Sequence, residues 1–293
     1  MVIATTGFFD GVHTGHRKVI ETLCRTAKER GAQSVAVTFW PHPRNVLRQD
    51  AQQLRLLSSL KEKEELLRDC GVDRVEVVDF TREFSTMSCE EFLKDYIIGE
   101  LGASALIVGY DHHLGNPEYS TDIRSVAAGL GLETIEAPSV SDAYNTVSST
   151  YIRRLLEQGE MQEAMRFLGH PHCLSGEVVH GRQLGRTIGV PTANLLIPEG
   201  VLTPAFGVYA TKVILPDGSE KLAVTNVGVR PTVGESNLVT VEPWILDFEG
   251  DLYGQHIRVD FYQRLRGEKR FDGLTALQQE IFANAEETRA LLG

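Results

Sequence analysis

Cysteine is scarce and scattered. The four cysteines, Cys24, Cys70, Cys89 and Cys173, never fall at a Cys-x-x-Cys spacing. That argues against a zinc ribbon, a redox pair and a disulfide framework, and leaves ordinary thiols. No apolar run approaches the ~20 residues that a membrane-spanning helix needs. The uncharged start, residues 1–6, is too short for a signal peptide. A cytoplasmic location without membrane contact is expected. Positive charge is in deficit too: 29 Lys and Arg against 40 Asp and Glu give a formal net charge of −11. An acidic surface repels phosphate backbones, so nucleic acid is not an expected partner. Small phosphate ligands stay open, because a few local donors decide such sites. There is no Gly-Lys-Ser/Thr, hence no P-loop. Internal repeats and low-complexity segments are also lacking.

What is present suits two packed domains. The chain has 293 residues, 42% hydrophobic and 24% charged. Up to about residue 159, strand-like runs (2–6, 34–39, 75–78, 105–108, 133–137) alternate with helical patterns (15–30, 60–69, 89–101, about 121–130). Such alternation predicts a parallel sheet covered by helices, with ligands outside the carboxyl ends of its strands. The rhythm changes after Gly169. Strand-length runs at 176–180, 208–215, 221–227, 239–246 and 255–262 are separated by Gly, Pro, Asp and Asn, and Pro216-Asp217-Gly218 marks a hairpin. That predicts a small antiparallel barrel, closed by an amphipathic helix over residues 274–292. Helix-like residues 149–168 bridge the halves. The expected division is residues 1–159, a linker at 160–171, and 172–293.

Two segments of the first half suit phosphate. Gly7-Phe8-Phe9-Asp10-Gly11-Val12-His13-Thr14-Gly15-His16 follows the first strand and opens the first helix. Gly11 and Gly15 allow a tight turn and a close approach to a ligand. The helix start offers free N–H groups and a positive dipole end. His13 and His16, three apart, can face one site and stabilise charge on a transferring phosphoryl group. Asn145-Thr146-Val147-Ser148-Ser149-Thr150-Tyr151-Ile152-Arg153-Arg154 starts a later helix. Its hydroxyls suit N-caps, and its arginines sit where the dipole disfavours cations unless an anion is bound. Alone, each segment reads more readily as a cap or a turn. At the first and last strands of one alternating domain they gain specificity.

In the second half, Gly181 through Asn194 is rich in Gly and Arg and ends in Pro191-Thr192-Ala193-Asn194. Gly185 and Gly189 permit close backbone approach. Thr192 and Asn194 share a face on an extended strand and offer oxygen ligands suited to nucleotide-bound Mg²⁺. Glu242 stands in an otherwise apolar strand, Val241 to Phe248. A carboxylate beside a hydroxyl nucleophile can accept its proton, yet a lone strand glutamate more often faces solvent.

These segments together resemble the nucleotidyltransferase superfamily that carries His-x-Gly-His and, within it, the bacterial bifunctional riboflavin kinase/FAD synthetases. Further similar segments are Thr38-Phe39-Trp40-Pro41-His42-Pro43, Val108-Gly109-Tyr110-Asp111, Gly207-Val208-Tyr209, Asn226 to Thr232, and Asp251-Leu252-Tyr253-Gly254. The resemblance implies a Rossmann-like α/β nucleotidyltransferase domain followed by a six-stranded antiparallel riboflavin-kinase barrel with a C-terminal helix. It implies riboflavin, FMN and ATP as partners and Mg²⁺ as cofactor. One half would phosphorylate riboflavin to FMN, and the other would adenylylate FMN to FAD with release of pyrophosphate. His13, His16, Arg153 and Glu242 are then the catalytic candidates, with Glu242 as base for the riboflavin 5′-hydroxyl. Nucleotide and phosphate are expected at Gly7, Phe8, Asp10, Gly11, Gly15, Asp111, Ser148, Ser149, Thr150, Gly185, Gly189 and Thr192. Flavin is expected at Asn226 and Arg266, and the metal at Thr192 and Asn194. Phe8 departs from the Asn common in relatives, Leu114 from Phe, and Pro243-Trp244 from a polar pair. Trp244 fits either beside the flavin or in the barrel wall. Two other readings fit parts of the sequence: adenylylation of a pantetheine or nicotinamide nucleotide, and a flavin-binding regulator without catalysis. The kinase-like half argues against the first, and the retained candidate residues against the second.

Overall fold

Short runs carrying Val, Ile, Ala and Thr build the first unit as strands of a parallel sheet, the three central ones buried on both faces and the two edge ones only partly buried. In the computed structural model, which describes residues 1–47, 54–109, 122–138, 141–142, 145–181, 185, 189–230 and 238–293, these runs are β1 (Val2–Thr6), β2 (Gln33–Trp40), β3 (Arg74–Asp79), β4 (Ala103–Val108) and β5 (Glu133–Glu136). They pair in the order β3-β2-β1-β4-β5, all parallel. Strand order reverses between β1 and β4, so the crevice for ligands lies at their carboxyl ends. Helix α1 (Thr14–Glu29) packs on β1, β2 and β4, burying Ile20, Leu23 and Ala27. A second core joins Val35, Val37, Leu106 and Val108 to Phe92, Leu93 and Ile97. The helix expected at 89–101 is present. It opens with a capping box between Ser88 and Glu91, and Phe92–Glu100 is wound as a π-helix.

Two short strands, β6 (Ser141–Asp142) and β7 (Asn145–Thr146), pair antiparallel near the end of the first unit. The strands of the second unit are β8 (His172–Val179), β9 (Asn194–Leu196), β10 (Gly207–Ile214), β11 (Glu220–Arg230), β12 (Leu238–Ile245) and β13 (His256–Arg266). They form a closed antiparallel barrel in the order β10-β11-β12-β9-β8-β13. The Pro216-Asp217-Gly218 turn joins β10 to β11, with Gly218 at φ 82° and Asp217 Oδ1 accepting from Ser219 N at 2.9 Å. Strand β9 has three residues, too few to show a period, and was not among the apolar runs read from the sequence. The C-terminal helix Leu274–Leu292 packs on β10 and β11.

By contacts the units part at Ser148, with Leu56–Glu62 grouped with the second unit. Helices Ser149–Gln158 and Met161–Leu168 group with the barrel. Ala205 N donates to Leu156 O at 2.9 Å, and Gln162 Nε2 to Gln263 Oε1 at 3.0 Å.

His172 is expected to make the barrel sensitive to acid. Its ring is 2% exposed, and Nε2 lies 3.1 Å from Leu202 O. Burial pushes its pKa down from 6.5 to about 4. Between those values the unfolded chain takes up a proton that the folded chain refuses. Stability therefore falls as pH drops through this window, by up to about 3 kcal/mol. Urea midpoints at about pH 7.5 and about pH 5 should differ less in His172→Gln than in the parent chain. An unchanged difference would assign the acid sensitivity elsewhere.

Candidate active sites

The chain leaves β1 through backbone that L-residues seldom adopt. Phe9, Gly11 and Val12 have φ of 47°, 75° and 39°. A β-branched residue at positive φ is strained, so its surroundings must hold it. Phe9 and Val12 are buried, as are Asp10 and Gly11. His13 then caps α1, its Nδ1 accepting from His16 N at 3.4 Å. An accepting Nδ1 leaves the imidazole proton on Nε2. The two rings stack, centroids 3.6 Å apart and 15° from parallel. A Cβ on Gly15 would lie 3.2 Å from His13 Cε1, so the bare glycine lets the ring rest there. His16 also meets the Phe9 ring edge-on at 5.4 Å. Burial foremost, then His13 and Lys63, hold the His16 pKa well below its usual value. His16 Nδ1 is shielded from solvent and has no hydrogen-bond partner among the described residues. The site thus presents a neutral His16 imidazole beside His13 at a helix N-terminus, suited to donating to an anion rather than pairing with it as a cation.

Around this turn, Phe8 keeps 37% of its surface exposed and packs on Phe39 and His42, ring centroids 5.4 and 5.1 Å away. Gly7 N donates to Val37 O at 3.0 Å. Lys63, absent from the sequence-derived candidates, is 4% exposed and donates to Phe8 O and Phe39 O at 3.2 and 3.3 Å. The signal was helical periodicity. Lys63 is three residues after Leu60 and four before Leu67, on the buried stripe of helix Leu60–Asp69, but a run of charges masked it. Its neighbour Glu62, 1% exposed, was masked in the same way. Glu62 Oε2 accepts from Ser59 N at 2.7 Å and Oε1 from Ser175 N at 2.5 Å. Burial pushes its carboxyl pKa up.

Ser148 closes the first unit, and Ser149, Thr150 and Arg153 open helix Ser149–Gln158 of the second. Arg153 is half-buried, while Arg154 is exposed and lies over the Tyr151 ring at 4.9 Å. Asp111 lies outside the described residues.

The barrel assembles a second group across three strands. Asn226 on β11 is directly opposite Glu242 on β12. Val241 pairs with Leu195 of β9, and Ala193 N donates to Pro243 O at 2.9 Å, which sets Glu242 opposite Asn194. Directly paired residues project to the same face of a sheet. Asn194, Glu242 and Asn226 therefore form one row, all outside the apolar core, with Thr192 two residues before Asn194. A Cβ on Gly181 would sit 2.6 Å from Asn194 Oδ1, so only glycine leaves room for the amide there. Gly185 O accepts from Val190 N at 2.8 Å, and Gly189 has φ 73°. Arg182 and Arg186 of the same segment lie outside the described residues.

This donor set fits Mg²⁺. The hydroxyl of Thr192 and the amide oxygen of Asn194 are hard ligands in a cradle that a Cβ would fill. No group of three or more His, Cys, Asp or Glu able to hold a metal occurs among the described residues. A cation held here would take its remaining ligands from nucleotide and water, as Mg²⁺ does.

Two other residues are bound into structure. Arg266, ending β13, donates from Nε to Asn284 Oδ1 at 3.1 Å and lies 3.4 Å from Glu280 Oε1, tying the barrel to the C-terminal helix. Burial lowers its pKa. Trp244 packs edge-to-face on Phe282 of that helix, centroids 5.6 Å apart, and joins the cluster of Val208, Val224, Leu246 and Ala285.

Comparison with known proteins matches both units. A family model described as FAD synthetase matches residues 1–151, and one described as riboflavin kinase matches residues 168–292. A relative from Listeria monocytogenes, described as a bifunctional riboflavin kinase/FMN adenylyltransferase, is 36% identical over 98% of this chain and 91% of its own. Relatives so described from Bacillus subtilis and Escherichia coli are each 34% identical, over 97% and 99% of this chain and 90% and 93% of theirs. A crystal structure described as a macrolide-efflux protein from Streptococcus pneumoniae superposes with a TM-score of 0.87 at 30% identity, over 98% of this chain and 93% of that one. No helix of the described residues is long and apolar enough to cross a membrane. With both family models matched in order and relatives alike over nearly the whole length, the chain belongs to the bifunctional riboflavin kinase/FMN adenylyltransferase family.

Proposed function

We propose that the chain phosphorylates riboflavin to FMN on residues 172–293 and adenylylates FMN to FAD on residues 1–159, using ATP in both steps. The observation that carries this reading is the presence of two separate donor sets in one chain. One is the stacked His13–His16 pair at the carboxyl end of β1; the other is the Asn194–Glu242–Asn226 row of the barrel.

In the kinase step Glu242 accepts the proton of the riboflavin 5′-hydroxyl as its oxygen bonds to the γ-phosphorus of ATP, and ADP leaves. Thr192 and Asn194 hold Mg²⁺ with the nucleotide, and Gly185 and Gly189 let the backbone approach the phosphates. A metal held there would neutralise charge on the transferring group. Asn226 and Arg266 are assigned to the flavin. In the adenylyl step a phosphate oxygen of FMN bonds to the α-phosphorus of ATP and the bond to the β-phosphate breaks, releasing pyrophosphate. His13 Nε2–H and the His16 imidazole donate to the phosphoryl oxygens where charge accumulates. Gly7, Phe8, Asp10, Gly11 and Gly15 shape that turn. Ser148, Ser149, Thr150 and Arg153 receive the departing phosphates, and Asp111 the nucleotide. A reducing, cytoplasmic location accords with four free thiols.

Incubation with riboflavin, ATP and Mg²⁺, followed by separation of the flavins, tests the reading. FMN should accumulate first and FAD follow. FMN alone would deprive the first unit of its assigned step, and flavin binding without conversion would favour a regulator.

A further inference from the structure

The His-x-Gly-His turn has a support that the reaction scheme leaves unused. Phe8 O accepts twice, from Thr38 Oγ1 at 3.3 Å and from Lys63 Nζ at 3.2 Å. The same ammonium reaches Phe39 O, near the end of β2, at 3.3 Å, and lies 5.5 Å from the Trp40 ring centroid. One buried cation therefore clamps the first residue of the strained turn to the neighbouring strand. The residues that follow, Phe9 to Val12, carry the positive φ angles that aim His13. We propose that Lys63 is a positioning residue for adenylyl transfer, holding the Phe8–His13 turn against β2 so that both imidazoles point at the transferring phosphoryl group.

Three observations support the assignment. A buried ammonium is costly, and an apolar residue would fill the same space on the stripe shared with Leu66 and Leu67. Burial brings the Lys63 pKa down to about 8, while the charges of Asp10 and Glu64 hold it up. Asp10 belongs to the turn itself, so the ammonium bonds to the turn's backbone and interacts with its charge. Lys63 also acts on His16, helping to keep that imidazole neutral and thus a donor of the kind the step requires. Displacing a reacting group by 1 Å costs about 10²-fold in rate, so a clamp at this place acts on turnover.

The inference rests on the adenylyltransferase reading of the first unit, and the kinase of the same chain supplies an internal control. Steady-state constants for FMN adenylylation and for riboflavin phosphorylation would be compared in the full chain, Lys63→Met and Lys63→Arg. Lys63→Met should lower kcat for adenylylation about 10- to 100-fold, with KM for ATP and FMN within about twofold and the kinase constants unchanged. Lys63→Arg, which keeps a charged donor able to span both carbonyls, should recover most of the lost kcat. Three results would overturn the inference: adenylylation in Lys63→Met within about twofold of the parent, a raised KM at unchanged kcat, or equal loss of both activities. No FAD from the unmutated chain would instead overturn the reading of the unit.

Discussion

Glu242→Gln should lower riboflavin phosphorylation by about 10²- to 10⁴-fold, the range for losing a general base, while adenylylation of supplied FMN continues at the parental rate. The substitution keeps the size and the hydrogen-bonding reach of the side chain. It removes only the capacity to take up a proton. Glu242 lies between Asn194 and Asn226 in the barrel row, and the amide can still bond to either. Binding of nucleotide and flavin should therefore persist, and the loss should fall on kcat. Single-turnover formation of FMN, read beside FAD formation from added FMN, measures both. Phosphorylation near the parental rate would return Glu242 to a structural role.

Replacing both His13 and His16 with Ala should do the reverse. Each donor to a developing phosphoryl charge is worth about 10²- to 10³-fold. Because the rings stack at 3.6 Å and act on one group, the double variant should lose less than the product of the singles. His13 also caps α1 through Nδ1, so some destabilisation is expected, about 1 kcal/mol for a lost cap. His13→Asn, which restores a cap without the imidazole, separates the two contributions: helix stability returns and adenylylation does not. Pyrophosphate release in the presence of FMN and ATP reports the step. If either the Glu242 or the His13/His16 variant lost both activities while folded, two independent sites would be the wrong picture.

Much of the fold was legible because periodicity and turn chemistry are local. β1, the helix Leu60–Asp69 and the C-terminal helix Leu274–Leu292 have the bounds that hydrophobic pattern alone suggests. The Pro216-Asp217-Gly218 hairpin follows from residues that prefer such turns. The candidate turn at His13 and His16 was legible for the same reason, since β1 feeds directly into α1. Less local features were not. β9 is too short to show alternation, and Lys63 and Glu62 looked like part of a solvated charged face. Only packing shows that the helix carrying them turns both inward.

Cysteine spacing, charge and the two rhythms of apolar residues determined two domains of different class, each with a phosphate-suited turn. Family resemblance, not composition or spacing, brought flavin into the reading. The tertiary structure decided which residues act together. Asn194, Glu242 and Asn226 lie far apart along the chain and become neighbours only through antiparallel register, which depends on barrel closure. The clamp of Lys63 on Phe8 and Phe39 likewise exists only when a helix residue, a turn and a strand end meet. The physical reason is common to both. A hydrogen bond or a cross-strand pair is set by distance in space, and no pattern of near neighbours in sequence encodes a contact between distant segments.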